Sequence, residues 1–152
     1  MNKVKVLSLV LFYILLLTSC TTSQIDSNNL SEKIRIIDVE SWLNMMPGGP
    51  GSFHIIGKYE IADSLEFEVE LTKIKVLSDS IDIYIITKEN YIVEKQIDNN
   101  LKIIEYAFHT KPGIGLNERI QLINQMDVKL FFDFEGREIV KELNSIELTR
   151  AY

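Results

Sequence analysis

The chain has 152 residues, 46% of them hydrophobic, with 16 basic and 22 acidic side chains and a formal charge of −6. That length supports one domain with a real core. The acidic balance argues against nucleic acid as a partner, because such binding rests on basic contacts to phosphate.

The first segment reads as an export signal and not as part of a fold. Lys3 and Lys5 form a short positive region, and Val6 to Leu17 is an apolar run of twelve residues. A helix needs about 20 apolar residues to cross the bilayer core. A shorter run followed by small polar residues is the pattern of a cleaved secretion signal. The run ends in Leu17-Thr18-Ser19-Cys20, which resembles the lipobox of bacterial lipoproteins. The resemblance implies cleavage before Cys20 and a thioether-linked diacylglycerol on its sulfur. Cys20 is the only cysteine, so the chain forms no internal disulfide, and lipidation gives a lone exported cysteine a role. Acyl burial contributes roughly 0.8 kcal/mol per CH₂, and two chains suffice for stable anchoring. No aspartate follows Cys20, and no acidic cluster of a surface-export kind appears. By analogy with that family, the expected place is the periplasmic face of an outer membrane. No cofactor beyond the lipid is expected.

Residues 1–19 carry two lysines and no acid, so the remaining 133 residues hold 14 basic against 22 acidic side chains, a charge of −8. Such a domain is repelled by anionic headgroups, which leaves the lipid to hold it at the membrane. The charge itself reads as solubility. Residues 20–31, ending TTSQIDSNNLS, are polar and aperiodic, a lipidated flexible tether. The domain is expected over 32–152.

From there the dominant period is two. IRIIDV and FHIIGKYEI read as strands on either side of the corner Ser41–His54. In LEFEVEL, Leu65, Phe67, Val69 and Leu71 alternate with Glu66, Glu68 and Glu70, a strand with one apolar and one acidic face. The apolar set resumes at Ile74 and Val76, one residue out of phase, as a bulge or a strand switching sheets would produce. IDIYIIT (Ile81 to Thr87) alternates again. YIVEKQI and LKIIEYAFHT flank Asp98-Asn99-Asn100, residues that tolerate the positive φ of a tight hairpin. Lys111-Pro112-Gly113 reads as a turn. LNERIQLINQ is ambiguous between a strand and a short helix. VKLFFDF and EIVKELNSIELTRAY, joined through Glu135-Gly136-Arg137, read as a final hairpin. Eight or nine short strands predict an all-β domain: a single antiparallel β-sandwich, with immunoglobulin-like topology as its natural variant and a small closed β-barrel as the alternative.

Little in the chain carries catalytic chemistry, and an enzyme is not expected. Ser52 lies two residues from His54, but spacing alone does not fix a hydrogen bond or supply an orienting acid. Lys111 to Gly115 lacks phosphate-loop spacing. Glu66, Glu68 and Glu70 sit roughly 7 Å apart along one strand face and do not converge on a calcium ion. Asp133 and Glu135 read the same way.

The segment SWLNMMPGGPGSFH, Ser41 to His54, stands apart from the repetitive strands. Three readings stay open for it. As a structural corner, Pro47 to Gly51 cross between strands while Trp42, Met45 and Met46 cap an open end of the sandwich. As a binding loop, Trp42, Asn44, Met45, Met46, Pro47 and His54 offer an adaptable surface to an envelope protein or peptide. As a metal site, Met45, Met46, His54 and His109 supply the thioethers and imidazoles that suit Cu(I). The pattern W-x-N-x-M-P-G, carried by Trp42, Asn44, Met46, Pro47 and Gly48 and followed by His54, resembles the start of small exported bacterial β-domains. That resemblance brings no known activity with it.

Overall fold

The computed structural model describes residues 31–62, 69–90, 92–98, 101–111 and 116–152. The export signal, Cys20 and the tether through residue 30 lie outside these residues, as do Leu65 to Glu68, Asn99 and Asn100, and Pro112 to Gly115.

The described strands are β1 (Ile34–Asn44), β2 (Ser52–Ala62), β3 (Val69–Ser78), β4 (Ile81–Thr87), β5 (Ile92–Asp98), β6 (Leu101–His109), β7 (Gln125–Phe134) and β8 (Arg137–Ala151). The fold is all-β. The phase slip after Leu71 is a register shift between Leu71 and Lys73 in the β3/β7 pairing. Val69 and Leu71 face the core while Glu70 faces solvent and pairs with Lys88. Asp98 pairs with Leu101, which closes the β5/β6 hairpin around the Asn99-Asn100 position. Glu135 and Gly136, both with positive φ, turn β7 into β8. In the ambiguous stretch, Asn117 caps the N-terminus of a one-turn helix, Glu118–Leu122, by accepting from the Arg119 amide at 2.9 Å. The chain is extended again from Gln125.

The eight strands form one sheet in the order β4-β3-β7-β8-β1-β2-β6-β5. One pairing departs from the antiparallel expectation: β1 and β8 run parallel, from Ser41 opposite Leu148 to Asn44 opposite Ala151. β8 is long enough to serve two neighbours. Arg137 to Glu147 pair with β7, and Leu148 to Ala151 pair with β1. Within the stretch that pairs with β7, at the register shift between Met126 and Val128, Ser145 takes φ 59° and its amide donates to the Asp127 carboxylate at 3.0 Å. The sheet curls, so its two halves face each other across a shared core, between an open sandwich and a closed barrel.

Aromatic rings span that core. Tyr59 of β2 meets Phe132 of β7 edge-on, with centroids 5.0 Å apart, and Phe53 of β2 stacks on Tyr84 of β4 at 5.1 Å. Phe53, Ile55, Ile74, Val76, Val128, Leu130 and Phe132 are fully buried. Burial on this scale supplies most of the drive to fold. Tyr106 of β6 lies directly across from Gly57 of β2, and its ring occupies the space that a side chain on Gly57 would need.

Candidate functional site

The corner sits where β1, β2, β6 and the end of β8 meet. Strand alternation turns Ser41 and Leu43 inward, where both are buried, and turns Trp42 and Asn44 outward. The buried Ser41 hydroxyl is satisfied because it donates to the Glu147 carbonyl at 2.7 Å. Trp42 and Asn44 are therefore strand residues, not loop residues. Trp42 lies half-buried on the outer face of the sheet and does not cap an end of the core.

Register then builds a row of side chains on that face. Trp42 pairs with Thr149 on one side and with His54 on the other, and His54 pairs with His109. The Trp42 and His54 rings stack with centroids 4.8 Å apart and planes 7° from parallel. His54 and His109 follow at 5.8 Å and 22°. Direct cross-strand neighbours on one face touch in this way whenever both are large.

The turn residues fix the corner beside this row. The Met45 amide donates to the Ala151 carbonyl at 2.7 Å, and the Met45 side chain packs against the core. The Met46 amide donates to the Asn44 side-chain oxygen at 3.1 Å, an Asx-type turn that sends the Met46 side chain outward. Met46 is 57% exposed, so the two adjacent methionines point apart. Gly51, at φ +73°, runs so close to its surroundings that a Cβ would lie 3.0 Å from Leu116 Cδ1 and 3.3 Å from the Asn44 carbonyl. At the far side the Phe53 amide donates to Thr110 Oγ1 at 3.1 Å, and the Thr110 amide donates to the Phe53 carbonyl at 2.9 Å.

These constraints leave a groove of about 310 Å³, lined by Asn44, Met46, Ser52, His54, His109 and Thr110 with Pro47, Gly49, Pro50 and Gly51 of the corner. His109 also borders a second groove of about 550 Å³ between β4 and β6, which leaves its ring open on that side. A wider hollow of about 670 Å³ lies elsewhere, among Ser78, Asp79, Asn124, Asp127 and Glu147. Its Asp127 is already occupied by the Ser145 amide.

Ser52 Oγ and His54 Nε2 are hydrogen-bonded at 2.7 Å. Serine-histidine chemistry also needs a third group that orients the imidazole. Among the described residues His54 makes no hydrogen bond to a carboxylate, and its bond to Ser52 fixes the position of the ring. Burial, and then the neighbouring His109, push the His54 pKa below its ordinary 6.5. A base whose folded pKa is depressed is favoured neutral in the folded state, so its contribution is intact above 6.5. The contribution is lost as pH falls through the lower folded value. Thermal unfolding should therefore show a stability loss between pH 7 and pH 5 that shrinks in His109→Gln and disappears in His54→Gln. Equal pH profiles in all three proteins would contradict the assignment.

The structure thus brings Asn44, Met46, His54 and His109 to one groove with Trp42 at its flank, and places Met45 away from it. Ser52, noted in the sequence for its spacing from His54, joins the site through the hydrogen bond to that ring, and Thr110 joins it without a sequence signal of its own. No protein-family model matches this chain, and no curated protein matches it as a relative.

Proposed function

We propose that this chain is an envelope lipoprotein, anchored through acylated Cys20, whose β domain is a binding or accessory module without catalytic activity. The observation that carries the reading is the groove at the corner, where Asn44, Met46, Ser52, His54 and His109 converge on a rigid sheet. Exposed loops on a rigid scaffold are the usual carriers of recognition. A flexible thioether beside aromatic rings adapts to a partner's surface. The net negative charge favours an envelope protein or peptide over a nucleic acid.

Two measurements test the reading. A Cys20→Ser protein should accumulate uncut or leave the membrane fraction, and normal processing with retained membrane association would refute the anchor. A photo-crosslinking residue at position 46, introduced in living cells, should give a discrete adduct. The same residue at Val140, on β8 in the other half of the sheet, should give none. Equal labelling from both positions, or none from either, would refute the groove as the binding surface.

A further inference from the structure

We propose that the corner groove holds a single monovalent copper ion, bound by the imidazoles of His54 and His109 and the thioether of Met46. The inference rests on the reading of this groove as a binding site and names what it takes.

Three observations carry it. The first is the donor set. Met46, His54 and His109 all line the same groove of about 310 Å³, and Met45 does not. Thioether and imidazole together are a soft set that selects Cu(I) over harder cations. Among the described residues no group of three or more His, Cys, Asp or Glu side chains is placed to hold a metal ion. A calcium ion, with its six to eight oxygens, and a tetrahedral structural zinc therefore find no ligand set here.

The second is spacing. Imidazole nitrogens bind such metals at roughly 2.0–2.1 Å, so two rings sharing an ion have centroids no more than about 6 Å apart. His54 and His109 are at 5.8 Å. Their planes lie 22° apart, so a rotation of the exposed His109 ring turns a nitrogen toward the ion.

The third is the outer support. Metal-binding histidines usually donate their second ring N–H to a neighbour, which fixes the tautomer and the ring. Ser52 Oγ, 2.7 Å from His54 Nε2, is placed to accept that proton and leave Nδ1 free for the metal. Trp42 stacks on the opposite side of His54 at 4.8 Å and limits how far the ring can swing.

The test uses the full chain carrying Cys20→Ser, so that no thiol competes, titrated with Cu(I) under reductant against a chromophoric Cu(I) chelator. One ion per chain is expected. His54→Gln and His109→Gln should each weaken binding at least 100-fold. Ser52→Ala should cost 10–100-fold, the usual effect of losing an outer-shell partner, and Met46→Leu should weaken binding while Met45→Leu leaves it unchanged. Bound copper should also quench Trp42, the single tryptophan, in step with the titration. Thermal melts confirm that each variant is folded. No binding by the parent protein, binding that survives both histidine changes, or equal loss in Met45→Leu would overturn the proposal. If copper does not bind while position 46 still crosslinks, the copper inference fails and the groove reading stands. If both fail, both are wrong.

Discussion

Gly57→Ala should destabilise the domain by about 3 kcal/mol or more, the upper end of what overpacking a filled core costs. The added Cβ would sit 2.2 Å from the Tyr106 hydroxyl oxygen, 2.3 Å from Cζ and 2.7 Å from Cε1. No atom pair tolerates such distances, and Tyr106 is fully buried, so its ring has nowhere to retreat. Relief would require the β2 and β6 backbones to part at the centre of the sheet. Tyr106→Phe is the control. Among the described residues the buried Tyr106 hydroxyl has no hydrogen-bond partner, and burial, with Tyr59 and Asp38 nearby, pushes its pKa far up. Removing it should leave stability within about 1 kcal/mol of the parent or improve it, because an unsatisfied buried polar group is a cost. The double variant should recover little, since the ring carbons still collide. Urea unfolding followed by circular dichroism measures all three. A Gly57→Ala protein within about 1 kcal/mol of the parent would mean that the Tyr106 ring does not lie over the glycine.

Phe53→Ala is expected to cost about 3–5 kcal/mol, the range for deleting a fully buried aromatic. Phe53 is inaccessible to solvent and stacks on Tyr84 from the opposite half of the sheet, with Phe108 at 6.4 Å. Its backbone is held by Thr110 at both its N–H and its C=O. It therefore ties the two halves together directly beneath the corner, between Ser52 and His54. Trp42→Ala removes a larger side chain but a half-buried one on the outer face, and should cost less. The same denaturation experiment ranks the two. A greater loss from Trp42→Ala would show that the outer row, and not the ring stack inside, carries the corner.

Much of the strand pattern was legible because alternation with period two reports which face of a strand is buried. The slip after Leu71 follows from it, and the glycine at 136 marks the turn into β8. Ile81 to Thr87 is a strand, but its alternation through Ile81, Ile83 and Ile85 names the wrong face, because Ile83 and Ile86 are buried while Ile81 and Ile85 are exposed. Three features were not legible, each for a physical reason. Trp42 belongs to β1, but Ser41 occupies an inward position, and a buried serine breaks the apolar alternation until its bond to the Glu147 carbonyl is known. The turn at Asp79 and Ser80 places two non-glycine residues at positive φ, which composition does not announce. The one-turn helix buries only Ile120, too little for a period of 3.6 to show. The site was legible in its residue types and not in its assembly. His54 and His109 meet only because β2 and β6 pair in one register, and no local pattern encodes a register between strands so far apart in the chain. The same register separates the candidates, since it leaves Met46 beside the histidines while Met45 packs inward.

The parallel seam between β1 and β8 also sets a clock. The Ser41 hydroxyl reaches a carbonyl 106 residues further on, and the Thr149 hydroxyl reaches back 108 residues to the Ser41 carbonyl. Contacts of such long range are entropically slow to close, and they make sheet proteins fold over milliseconds to seconds. They also cannot begin before the last strand exists. At a synthesis rate of roughly 5–20 residues per second, residue 151 follows residue 41 by about 5–20 s. During that interval β1 lacks its parallel neighbour and the two half-sheets lack the strand that joins them. The chain stays threadable for as long as it is incomplete, and that delay comes from topology alone.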